Sequence, residues 1–123
     1  MEVPILKQGN YLIASVQSAL TDADLSQLRE ALVARVGTLR AKGVIVDVTA
    51  LDVMDSFAVR TLRDLAHTTW LRGAETVIVG IQPDVAFAMV QLGLTFKGIA
   101  TALDLEEGLE FLDLRLKEKR HRG

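Results

Sequence analysis

Apolar and polar residues alternate along this chain with two different periods. Pro4 to Leu6 and Tyr11 to Val16 are short apolar runs separated by Gln8-Gly9-Asn10, which predicts two strands and a tight turn. Pro4 lacks a donor N–H and suits an edge strand. The period then changes. Leu25, Leu28, Leu32, Val36 and Leu39 recur every three or four residues, the stripe of a helix that ends before Gly43. Thr21 is placed to cap it, with Asp22 and Asp24 in the first turn. Arg29, Glu30, Arg35 and Arg40 read as its solvated face.

Val44 to Val48 is the next strand. A loop bearing Asp52, Val53, Met54 and Asp55 leads through Ser56 into a second helix, with Ala58, Leu62, Leu65, Ala66 and Thr69 facing inward. That helix stops near Gly73. Thr76 to Ile81 is a β-branched run, hence a buried strand. Pro83 sits where a helix can begin without losing a hydrogen bond. Ala86, Met89 and Val90 are the expected apolar face of this short helix, which ends at Gly93. Ile99 to Thr101 is a weak last strand. Asp104 and Glu107 have capping-box spacing before a final stripe of Leu105, Leu109, Leu112 and Leu116.

The order β, β, α, β, α, β, α, β, α predicts an α/β fold with a hairpin start and a mostly parallel sheet. Right-handed crossovers with every strand added on one side would put the helices mainly on one face. The other face would then depend on the hairpin or on another molecule. The 123 residues fit one domain, 1–123, ending in a basic tail from about Lys117. Helix-dipole compensation and solubility account for that tail.

Composition narrows the function. The net charge of −2 gives no electrostatic case for nucleic acid. The absence of cysteine removes disulfides and thiolate metal sites, and fits a reducing cytosol. The start, MEVPILKQ, does not read as a signal peptide. The apolar-rich run Val85 to Phe96 is far short of the ~18 residues of a membrane span. A soluble, cytoplasmic domain is expected, without membrane contact.

Catalysis finds little support. Phosphate-cradling glycine motifs and a nucleophile elbow are missing. The two histidines are His121 in the tail and His67, about three helical turns beyond Ser56, so a Ser–His pair is not expected. Asp47, at a strand end, could be a phospho-accepting aspartate of the receiver type. That chemistry needs an acidic pair after the first strand, where Lys7-Gln8-Gly9 stands instead. Asp47 reads better as a solvated carboxylate that helps to cap its loop. No cofactor, metal or catalytic residue is expected.

Ser56 is the residue of interest. As an isolated feature it is an N-cap, a job that Asp55 could do equally well. Yet Val53 and Met54 are apolar in a loop that should lie on the surface, beside a helix-start hydroxyl. Leu94 and Phe96 either extend such a docking surface or pack in the core.

The segment DVTALDVMDSFAVRTL resembles the central motif of the STAS family, the sulfate-transporter and anti-sigma-factor-antagonist domains. There a strand, loop and helix carry a D-S or D-T phosphoacceptor. GIQPDVAFAMVQLGL, Gly80 to Leu94, resembles a second hallmark, of the stressosome branch, and the single-domain format resembles that branch's small scaffold protein. The resemblance implies a non-enzymatic scaffold in a large hollow assembly with sensor-bearing STAS paralogues. It implies that Ser56 is phosphorylated by a switch-type serine/threonine kinase, which the scaffold holds and then releases. Asp52, Val53, Met54, Asp55 and Phe57 would form the partner-binding surface, and self-association is expected. The alternative within the family is a direct antagonist that binds an anti-sigma-factor kinase. From another class, a nucleotide-binding or small-molecule enzyme would reveal itself in ligand titrations.

Overall fold

The computed structural model describes residues 3–17 and 20–122, the side chains of 121 and 122 excepted. His121 as a side chain, and Gly123, therefore lie outside the described residues. The elements follow the expected order: β1 (Ile5–Gln8), β2 (Tyr11–Ser15), α1 (Asp22–Leu39), β3 (Gly43–Asp47), α2 (Ser56–Leu71), β4 (Glu75–Val79), α3 (Pro83–Gln91), β5 (Ala100–Ala102) and α4 (Leu105–Arg122). The five strands lie side by side in chain order, β1 antiparallel to β2 and the rest parallel.

Because strand side chains alternate, the sheet has two buried faces. Leu12, Ala14, Val44, Val46 and Ile78 pack with Leu28, Leu32, Leu62, Leu65, Val85 and Met89 of α1, α2 and α3. Tyr11, Ile13, Ile45, Val77 and Val79 pack on the other side against Leu105, Leu109 and Leu112 of α4. The open second face considered above is thus covered by the chain's own last helix. The reason is topological. Helices α1 to α3 are crossovers, and their common handedness puts them on one face. Helix α4 is not a crossover between two of these five strands, and it packs over the other face. Gly108 makes the close approach possible, since a Cβ there would stand 2.8 Å from Val79 Cγ1.

Local signals fared well at the helix starts. Thr21 and Asp24 form a reciprocal capping box. The box at α4 is half formed: Asp104 Oδ1 accepts from the Glu107 N–H, while Glu107 Oε1 accepts from the Leu103 N–H. Every residue of the expected α2 stripe is buried. The hydroxyl of Thr69 donates to the Leu65 carbonyl (2.9 Å) and meets the Thr76 hydroxyl at 2.8 Å, so this buried pair is satisfied.

Three expectations are corrected. Leu39 is 43 % exposed, because α1 ends there at a left-handed Arg40 and the stripe overruns its cover. On α3 the buried pair is Val85 and Met89, one turn apart, and Val90 turns to solvent. The basic end does not trail behind α4 but forms its last turns, where the Lys119 ammonium lies 5.2 Å from the Trp70 ring centroid.

Helix α4 is also tied by polar contacts. Arg115 pairs with Glu75 at 3.1 Å, and the Tyr11 hydroxyl donates to Asp113 Oδ1. Burial, helped by the Asp113 carboxylate, pushes the Tyr11 phenol up to about 12. The folded value lies above the unfolded one of about 10, so this contribution to stability is complete below pH ~10 and is lost as pH rises through about 12. Tyr11 is the chain's one tyrosine, so its phenolate absorbance titrates alone. The native protein is expected to titrate near 12 and the urea-unfolded protein near ~10. Asp113→Asn should bring the native midpoint down part of the way. A native midpoint at the unfolded value would show that the phenol is not held.

Candidate functional site

The site is the turn from β3 into α2. Strand β3 ends at Asp47, and the Val48 N–H still bonds to the Val79 carbonyl (3.0 Å), so the loop leaves from a fixed point. Asp47 Oδ1 then accepts from both the Thr49 N–H (2.9 Å) and the Thr49 hydroxyl (2.6 Å). That is the loop-capping role read from the sequence. The Leu51 N–H closes a turn onto the Val48 carbonyl at 2.9 Å.

The loop is anchored by two apolar side chains that point inward, Leu51 and Met54, both at the edge of the main core. Val53, between Asp52 and Met54, is 75 % exposed. Of the five residues expected to meet a partner, Asp52, Val53 and Asp55 are exposed and Phe57 is half-buried. Met54 is buried, so it shapes the surface from beneath. Phe96 likewise packs in the core, with Leu94 against it.

The capping question has a geometric answer. Asp55 is the N-cap of α2, its Oδ1 accepting from the Ala58 N–H at 2.8 Å. Ser56 is the first helical residue and is exposed. Its hydroxyl has no hydrogen-bond partner among the described residues, while its carbonyl accepts from Arg60 Nε at 3.3 Å. The hydroxyl thus stands at the positive end of a 16-residue helix, in water, with one guanidinium a turn away. Beside it lies an open hollow of about 310 Å³ with Leu20, Leu25 and Leu51 below and Asp22, Asp52 and Asp55 around it.

Two contacts were not legible beforehand. Gly80 has φ +82°, and a Cβ there would overlap the Thr49 hydroxyl. Gln82 Nε2 donates to the Thr49 carbonyl (2.7 Å) and lies 3.4 Å from Asp52 Oδ1. Both belong to the Gly80–Leu94 motif, but no sequence spacing announces a contact across 33 residues. His67 is exposed on α2 beside Trp70, Glu75 and Arg115, at the opposite end of the sheet. Among the described residues no group of three His, Asp or Glu side chains could hold a metal ion, and no helix is long and apolar enough to cross a membrane.

Comparison with known proteins agrees with this architecture. A sequence model of the STAS domain matches residues 2–108. The structure superposes on a serine-to-glutamate variant of RsbS from Moorella thermoacetica with a TM-score of 0.81, at 34% identity over 94% of this chain and 97% of that one. It superposes on a chain of the stressosome, described as a signal integration and transduction hub, with a TM-score of 0.76 at 35% identity, covering 92% of this chain and 98% of that one. The RsbT co-antagonist RsbRD of Bacillus subtilis is 27% identical over 89 residues, 72% of this chain but only 32% of that protein. With both motifs, the five-stranded sheet and these likenesses in place, the chain belongs to the STAS-domain family, in its stressosome-type branch.

Proposed function

We propose that this chain is a phosphorylation-switched scaffold of a cytoplasmic stress-signalling assembly, which holds a switch-type serine/threonine kinase and releases it when Ser56 is phosphorylated. The observation that carries the proposal is the exposed Ser56 hydroxyl at the first position of α2, without a hydrogen-bond partner among the described residues and with capping already done by Asp55. A hydroxyl with no structural task, beside an apolar Val53 and an open hollow, suits a kinase substrate better than a structural serine. The protein acts as a binding partner and not as an enzyme. The likeness to RsbS, to a stressosome chain and to RsbRD supports partners that are themselves STAS proteins.

Self-association fits the surface. The sheet is covered on both faces, so the reason lies on α3 and just after it, where Phe87, Val90 and Leu92 are each about 70% exposed. Light scattering at tens of micromolar should show a dimer or larger, and a megadalton-scale particle once an RsbRD-like paralogue is added. A clean monomer that stays small with the paralogue counts against the scaffold. A small heteromeric complex with the kinase alone favours a direct anti-sigma-factor antagonist. The decisive experiment is incubation with a switch-type serine/threonine kinase and ATP, followed by mass spectrometry. One phosphate on Ser56 is expected, and none on any residue rejects the switch.

A further inference from the structure

We infer that Gln82 is the positioning residue of the Ser56 loop, and that the Gly80-Ile81-Gln82-Pro83 segment serves chiefly to aim it. The inference rests on the reading of Ser56 given above and says how that site is held. Gln82 is the N-cap residue of α3, yet its side chain makes no capping bond to its own helix. Ser, Thr, Asp or Asn would cap there; glutamine is too long for the task and reaches elsewhere. Its amide nitrogen carries two N–H groups, which allows it to face the Thr49 carbonyl and the Asp52 carboxylate at once.

The neighbours of Gln82 make that reach reproducible. Gly80, with φ +82°, leaves space for the Thr49 side chain, and its N–H is fixed on the Ala102 carbonyl at 3.2 Å. Pro83 restricts its own φ and biases Gln82 to an extended backbone, as found at φ −64° and ψ 148°. The amide therefore leaves a rigid base on one element and grips a loop on another. Thr49 is in turn locked to Asp47. The loop between Asp47 and Ser56 is thus held at its start by Asp47, in its middle by Gln82, and at its end by the Asp55 cap. Of these three side-chain hydrogen bonds, only the Gln82 one comes from outside the loop and helix themselves. It connects the conformation in which Ser56 is offered to the position of α3, whose outer side carries Phe87 and Val90. A partner seated on α3 would reach the Ser56 loop through this amide, beside the core that Leu51 and Met54 share with Val85 and Met89.

The test compares Gln82→Leu, which keeps the bulk and loses the donor, with Gln82→Lys, which keeps a donor at similar reach. The first measurement is amide exchange in the protein alone. In Gln82→Leu the Thr49 and Leu51 amides are expected to exchange about three- to ten-fold faster, the loss of one such hydrogen bond, while Val46 and Ile78 in the sheet do not change. The second is phosphorylation of Ser56 by a switch-type serine/threonine kinase: kcat/KM should fall by a similar factor in Gln82→Leu and recover in Gln82→Lys. Unchanged exchange in Gln82→Leu overturns the inference, even if Ser56 is phosphorylated normally. Faster exchange with unchanged phosphorylation overturns it too, because the hold would then not serve Ser56. If the wild-type protein accepts no phosphate, the reading of Ser56 fails, and the exchange measurement still decides whether Gln82 holds the loop.

Discussion

Phosphorylated on Ser56, the protein is expected to keep its melting temperature within a few degrees and to lose affinity for the proposed switch-type kinase. The modification adds about −1.5 to −2 charges at pH 7. A helix N-terminus favours such a charge by roughly 0.3–1 kcal/mol. Arg60, whose Nε already touches the Ser56 carbonyl at 3.3 Å, is the cation within reach. Asp55 works against both: its carboxylate already occupies the Ala58 N–H, and with Asp52 it repels the phosphate. The opposing effects are of similar size and small beside a total stability of roughly 6–18 kcal/mol for a chain this long.

A docked partner changes that balance. The charge would then sit in a partly dry contact next to the exposed Val53 and must shed its water. Ser56→Asp should therefore melt like the wild type and fail to bind the kinase. Ser56→Ala should bind it and resist release by ATP. The phosphorylated protein itself is the stronger test, since aspartate carries less charge. Equal binding of phosphorylated and unmodified protein, measured by calorimetry, would end the switch hypothesis.

The second large effect is expected at Gly80. Gly80→Ala forces a Cβ into a left-handed conformation, costing about 1–2 kcal/mol. The same Cβ meets the Thr49 side chain, with Thr49 Cβ at 3.1 Å and Asp47 Oδ1 at 3.2 Å, so the loop must shift. Together the loss should be about 2–4 kcal/mol. That corresponds to a fall of roughly 6–20 °C in melting temperature. Gly73→Ala is the control: its φ is +91° but nothing lies within 4 Å, so only the conformational part applies. Adding Thr49→Ala to Gly80→Ala should recover part of the steric loss, a coupling that a double-mutant cycle measures. The folded fraction of Gly80→Ala should also bind kinase more weakly, because moving Thr49 breaks its contacts with Asp47 and Gln82. A Gly80→Ala protein no less stable than Gly73→Ala would show that the Thr49 contact is not rigid.

The amino-acid sequence determined what rests on interactions a few residues apart. Thr21 with Asp24, the α2 stripe from Ala58 to Thr69, and the Asp55-Ser56 helix start are of this kind. Each depends on helical or strand periodicity or on a cap, forces that act within one turn of chain. The order of elements and the place of Ser56 follow from them. Only the tertiary structure decided which surfaces those elements met. Val53 and Met54 are adjacent and both apolar, yet one faces water and the other the core, a choice made by packing in the folded loop and not by residue type. Val90 matched the α3 stripe by type but lies beyond what the sheet covers. Helix α4, which is not a crossover between strands of this sheet, packs on the second face, and Gly108 lets it settle there. The grip of Gln82 on Thr49 crosses 33 residues, and no periodicity encodes a bond between two elements that meet only after the sheet has formed.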